Sequence, residues 1–188
     1  MPSLDYPVIK TVLEKYPFTK FPIFIESGTY KGQTILLMEP HFEKLYTIEL
    51  STVLHEACKK AYKDSKTRKI TFLQGESHNV FKTLLPTINS PTIFFLDGHW
   101  SCNDTALGSK PVPLLEELQE INSKFNHEAI IIIDDYRLFD GKDPVVDWSS
   151  ITLQKVLNIF PNRLINHYFI GSYLSSQDRL ILNIKKAV

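Results

Sequence analysis

Two five-residue runs, Thr92-Ile93-Phe94-Phe95-Leu96 and Ala129-Ile130-Ile131-Ile132-Ile133, carry no charge, and each is followed at once by aspartate. Apolar runs of this length, rich in β-branched and aromatic residues, are strands buried on both faces, the habit of a parallel sheet covered by helices. The aspartates then mark the carboxyl ends of strands, where open parallel sheets bind their ligands. The chain is therefore expected to gather its chemistry along one edge of such a sheet.

The same unit recurs along the chain. Residues 23–25, 44–48 and 70–74 read as further strands, closing on Glu26, Glu49 and Gly75. Apolar residues at helical spacing occur at 8–16, 33–38 and 114–125, and Ser51 caps a helix reaching about residue 62. A short helix over 80–85 closes at Pro86, and Ser149 or Ser150 caps another through Phe160. Residues 166–174 and 179–184 read as a terminal strand pair joined by the polar turn Ser175-Ser176-Gln177-Asp178. This is an α/β pattern with helices on both faces. With 188 residues, 43% of them hydrophobic, one sizeable core is expected, a single domain over 1–188 with an opening helix within 1–20.

Charge narrows the ligand class. Lysine and arginine total 21 and aspartate and glutamate 21, with no basic stripe of the kind that phosphate-backbone binding requires, so a small polar substrate is expected rather than nucleic acid. Cys58 and Cys102 are far apart and lack zinc-ligand spacing, which predicts reduced thiols. No leader-like or membrane-spanning apolar run is present, so a soluble, cytoplasmic protein is expected.

Three strand ends point to a nucleoside. In Glu26-Ser27-Gly28-Thr29-Tyr30-Lys31-Gly32, Gly28 lets the backbone approach a ligand near the start of the next helix. Glu49 follows about twenty residues later, the separation at which a carboxylate accepts hydrogen bonds from ribose hydroxyls. Gly75-Glu76-Ser77 sets an acceptor and a hydroxyl where an adenine amino group could be read. Taken singly, the glycines make an ordinary tight turn and Glu49 a solvated charge flanking a helix. Together, on successive strands, they favour a nucleoside site.

The other strand ends carry Asp97 and the pair Asp134-Asp135. Three converging carboxylates repel one another unless a cation binds, and hard oxygen ligands suit Mg²⁺, Mn²⁺ or Ca²⁺. The alternative is that they cap turns and bond loop amides. His99, two residues past Asp97, is a usable base near neutrality, and Trp100 beside it either stacks on a substrate ring or closes the core.

From Phe24 to about Leu138 the chain resembles class I S-adenosylmethionine-dependent methyltransferases, and among them the metal-dependent sugar O-methyltransferases typified by macrocin O-methyltransferase. Glu26 to Gly32, Leu96-Asp97-Gly98 and Ile133-Asp134-Asp135-Tyr136 carry the resemblance. It implies a Rossmann-like fold, a seven-stranded, mostly parallel sheet with an antiparallel last strand. It implies S-adenosylmethionine held by Glu26, Gly28, Thr29, Tyr30, Gly32, Glu49, Leu50, Glu76, Ser77 and Asp97. It implies Mg²⁺ or Mn²⁺ on Asp97, Asp134 and Asp135, engaging vicinal hydroxyls of a sugar or glycan, a deoxysugar such as rhamnose among them. Some members place an aspartate base where this chain has His99, which implies His99 in that role. The loop 101–110, with Asp104 and Thr105, and the segment 137–148, with Arg137 and Asp140, are expected to shape the acceptor pocket. A homo-oligomer is compatible with the resemblance.

Other readings remain open. A cephalosporin-hydroxylase-like enzyme shares the fold and the aspartates, and a nucleoside-binding domain without catalysis would use them structurally. A nicotinamide-dependent oxidoreductase fits less well, because the G-x-G-x-x-G spacing and a Tyr-x-x-x-Lys pair are missing.

Overall fold

The computed structural model describes residues 4, 6–16, 19–63, 68–102 and 105–187. Seven strands form one sheet: β1 (Ile23–Ser27), β2 (Lys44–Glu49), β3 (Ile70–Gln74), β4 (Thr92–Leu96), β5 (Ala129–Ile133), β6 (Leu164–Ile170) and β7 (Arg179–Ile184). Their order is β3-β2-β1-β4-β5-β7-β6, parallel from β3 through β5, with β7 antiparallel to both neighbours. This is the expected Rossmann-like sheet, mostly parallel with an antiparallel last strand. The order reverses between β1 and β4, which opens a crevice at their carboxyl ends.

Alternate residues of the central strands serve opposite faces. Phe24, Ile93, Phe95, Ile130 and Ile132 join one core cluster, together with Val8, Ile9 and Val12 of α1 (Tyr6–Lys15) and Ile35 and Met38 of α2 (Gln33–Met38). Ile25, Phe94, Leu96, Ile131 and Ile133 join the other. There they meet Phe81 of α4 (Ser77–Leu84), Leu118 and Ile121 of α5 (Leu114–Lys124) and Val156 of α6 (Leu153–Asn158). Burying both faces removes any reason for polar alternation, which is why β4 and β5 read as unbroken apolar runs. The remaining helix, α3 (Thr52–Ala61), begins as expected, with Ser51 Oγ accepting from Leu54 N at 3.3 Å.

Several element bounds differ from the sequence expectation, the largest differences lying in α4, α6 and β6. Helix α4 starts at Ser77 rather than Val80, so Glu76 and Ser77 belong to its amino end. Helix α6 is capped by Thr152, whose hydroxyl accepts from Lys155 N at 3.1 Å, and not by Ser149 or Ser150. Strand β6 stops at Ile170, because Ser172 N turns to Ser175 O at 2.8 Å and leaves 171–178 as a loop. Among the described residues Cys58 and Cys102 are free thiols, and no helix is long and apolar enough to cross a membrane.

Candidate functional site

The parallel register aligns the strand ends in a row, since Ser27 lies opposite both Ile48 and Leu96, and Leu96 opposite Ile133. The ladder then runs one residue further: Gly28 N donates to Ile48 O (3.0 Å), Asp97 N to Ser27 O (3.1 Å) and Asp134 N to Leu96 O (3.1 Å). Above this row lies a cavity of about 520 Å³ lined by Gly28, Tyr30, Ile48, Glu49, Leu50, Glu76, Ser77, Asp97, His99, Asp134 and Asp135, among others. That volume is typical of a cofactor site.

Gly28 makes the crevice possible. Its φ of +85° is one that other residues rarely adopt, and a Cβ there would stand 2.2 Å from the Asp97 carbonyl oxygen. Beside it, Glu49 Oε2 accepts from Tyr30 N at 2.7 Å and Oε1 from Ser51 N at 2.8 Å. These two bonds orient the carboxylate while using only about half of its roughly four acceptor positions. The rest suit ribose hydroxyls.

Three residues expected around the cofactor stand elsewhere. Glu26 is buried beneath the glycine turn, accepting from Thr47 Oγ1 at 2.6 Å, and burial pushes its carboxyl well above the ordinary range. Thr29 meets the same Thr47 hydroxyl at 2.5 Å. Gly32, at φ +74°, is the amino cap of α2 against Cys58. None of the three is among the lining residues.

Glu76 lines the cavity but also holds the loop after β4, accepting from Ser109 N and, at 2.9 Å, from Asn79 Nδ2. The Ser109 amide is the main reason its carboxyl sits below the usual range. Thr105, Ser109 and Lys110 thus border the site. Asp104 lies outside the described residues, and Asp140 does not line the cavity.

At the other end of the cavity the acids converge. Asp97, His99 and Asp135 bring ligand atoms within 4.8 Å of one another, as do Asp134, Asp135 and Asp178. Asp135 occupies the left-handed region at φ +59°, so two consecutive residues both line one cavity instead of alternating across the strand. Arg137 Nη1 bonds Asp135 and, at 2.6 Å, Asp178, while Arg179 Nε lies 3.3 Å from Asp134 Oδ1. Asp178, 2% exposed, also accepts from the Ser172 hydroxyl, and its carbonyl accepts from Tyr136 N at 2.7 Å. Sequence reasoning missed Asp178 and Arg179 as site residues. Their signal, a charged pair directly before an apolar strand, acquires meaning only when β7 pairs with β5.

The donor set fits a divalent cation. Four carboxylates face two guanidiniums, and burial together with Asp97 and Asp135 pushes the Asp134 carboxyl well above its ordinary range. Oxygen donors that are buried, as at Asp134 and Asp178, or half-buried, as at Asp97 and Asp135, and that repel one another are what Mg²⁺ or Mn²⁺ relieves. His99 Nδ1 lies 3.5 Å from Asp97 Oδ1 and Nε2 3.2 Å from Asp135 Oδ2. Its ring meets Trp148 edge-on at 5.1 Å, and burial holds its imidazole below the ordinary value, against the pull of Asp135. A neutral imidazole is the form that accepts a proton.

No family model and no curated protein sequence matches this chain. Among solved structures it resembles the O-methyltransferase TomG from Streptomyces achromogenes in complex with SAM, at 16% identity and TM-score 0.67 over 98% of this chain and 82% of that one. It also resembles the O-methyltransferase from Bacillus cereus in complex with SAH, at 11% identity and TM-score 0.67 over 97% of this chain and 82% of the other. An rRNA methylase from Streptococcus thermophilus aligns at 16% identity and TM-score 0.51 over 90% and 89% of the two chains. At such identities the likeness establishes the methyltransferase fold.

Proposed function

We propose that the protein is an S-adenosylmethionine-dependent O-methyltransferase that acts, with a divalent cation, on a hydroxyl of a sugar or glycan bearing vicinal hydroxyls. One observation carries the reading: a ribose-type cradle at Gly28 and Glu49 and an acid cluster at Asp97, Asp134 and Asp135 open into one cavity. The likeness to O-methyltransferases, two of them in complex with SAM or SAH, supports the cofactor. The even charge favours a small acceptor over RNA.

On this reading Glu49 holds the ribose, Glu76 and Ser77 border the adenine, and Leu50 supplies apolar surface beside it. Asp97, Asp134 and Asp135 would hold Mg²⁺ or Mn²⁺, which would supply Lewis acidity toward the acceptor hydroxyl. His99 would take the hydroxyl proton as the oxygen bonds the methyl carbon in line and the carbon–sulfur bond breaks, leaving S-adenosylhomocysteine. The loop over 171–178 arches beside the acids. Its Tyr173 and Leu174 line the cavity while remaining 79% and 54% exposed, which provides a flat apolar surface for an acceptor ring.

Incubation with S-adenosylmethionine, Mg²⁺ and diol-bearing sugars is expected to yield a product heavier by one methylene. A product heavier by one oxygen would identify a hydroxylase, and no product with any acceptor would favour a binding domain. Glu49→Gln is expected to weaken S-adenosylhomocysteine binding about tenfold by calorimetry, the cost of one charge-assisted hydrogen bond. Unchanged affinity would remove Glu49 from the cofactor site. Tyr173→Ala is expected to raise the acceptor KM roughly three- to tenfold while leaving S-adenosylhomocysteine affinity unchanged, as loss of a stacking surface requires. A fall in kcat alone would contradict a stacking role.

A further inference from the structure

Helix α5 presents Leu114, Leu118 and Ile121 to the core, and Glu117 falls in the same stripe. A carboxyl side chain occupies a place where the helical pattern calls for an apolar one. Glu117 is only 1% exposed. Among the described residues, Glu117 Oε1 and Ser27 Oγ are both buried without a hydrogen-bond partner, and His99 and Glu116 are the charged or titratable groups near Glu117. Burial raises its carboxyl above the ordinary glutamate range.

The neighbours of Glu117 connect three parts of the site. Ser27 ends β1 beneath the glycine turn, and Ser77 opens α4 on the adenine side. The third part is the loop Asp97-Gly98-His99, whose Gly98 is packed so closely that a Cβ there would stand 3.2 Å from both Glu117 Oε1 and Ser27 Oγ. A small chamber behind that loop is lined by Glu117 together with His99, Asp134 and Trp148. Contact with the strand-four loop beside Ser27 places one side chain at the junction of cofactor cradle and acid cluster.

We infer that Glu117 is a positioning residue that sets the Asp97–His99 loop in register with the cofactor cradle by packing against Gly98 beside Ser27. It touches neither cofactor nor acceptor. The loop matters to methyl transfer only on the function proposed above, whereas its anchoring is independent of that function, and the two are separable by experiment.

Glu117→Leu restores the apolar stripe and Glu117→Gln preserves shape and polarity without charge. In the leucine variant the His99 imidazole NMR resonances are expected to shift. Amide exchange at Gly98, His99 and Trp100 is expected to quicken about tenfold or more, while exchange in β5 stays as in the wild type. The glutamine variant is expected to match the wild type in both. An unchanged loop in the leucine variant, or a glutamine variant as disturbed as the leucine one, overturns the inference. Should the leucine variant fail to fold, Ser27→Ala carries the same test: shifted His99 resonances support the inference, and unshifted resonances overturn it. Calorimetry with S-adenosylhomocysteine on the wild type tests the proposed function separately, because failure to bind sinks that reading and leaves the loop measurements standing.

Discussion

Asp135→Ala is expected to lower methyl transfer on the order of a hundredfold or more, and EDTA is expected to do the same to the unaltered protein. Asp135 appears in both groups of converging ligand atoms and is paired with Arg137. Its loss therefore removes a donor and also leaves a guanidinium facing Asp178 alone at the site. Radiolabelled transfer to a diol-bearing sugar, with and without EDTA and after restoring Mg²⁺ or Mn²⁺, measures the effect. Titration of Mn²⁺ followed by electron paramagnetic resonance reads ion binding without any acceptor, and the variant should bind Mn²⁺ at least about tenfold more weakly. Full transfer in EDTA would sink the metal role and return the acids to turn-capping.

The second large effect is expected at Gly28. Glycine to alanine forces a Cβ to within 2.2 Å of the Asp97 carbonyl and imposes a side chain on a residue with φ +85°. Both obstacles are backbone, so neither yields to a rotamer change. The variant is expected to lose about 3 to 5 kcal/mol of stability in denaturant unfolding and to bind S-adenosylhomocysteine too weakly to measure. A variant within about 1 kcal/mol of wild type would show that β1 and β4 are free to separate at their carboxyl ends. Gly32→Ala offers a control, because its φ is also positive but its nearest neighbour is the Cys58 side chain at 3.3 Å, which can move.

How much of this was legible in the sequence depends on the kind of signal. Strands β4 and β5 match their expected bounds to the residue, since an unbroken apolar run admits few alternatives. The cap of α6 was misplaced because Ser149, Ser150 and Thr152 are chemically equivalent as caps. The choice follows from Ile151, which is buried and whose N–H bonds Trp148 O at 2.9 Å, a tertiary contact. The end of β6 was overrun because Tyr173 and Leu174 look like strand residues, yet they project from a loop that Ser172 and Asp178 tie together.

The acids show the division most clearly. By itself the sequence determined the α/β architecture, the strand ends and the positions of Gly28, Glu49, Asp97 and Asp134-Asp135 along one sheet edge, because those follow from local periodicity and from the parallel alignment of strands. Only the tertiary structure decided that Asp134 and Asp135 line the same cavity, since that depends on the left-handed backbone at Asp135. It likewise brought Asp178 and Arg179 to them, through the antiparallel pairing that sets Leu180 opposite Ile133. It turned Glu26 away beneath the glycine turn and carried Glu117 up under the Asp97–His99 loop. Side-chain periodicity is a property of neighbours in the chain, whereas a charge cluster is a property of neighbours in space.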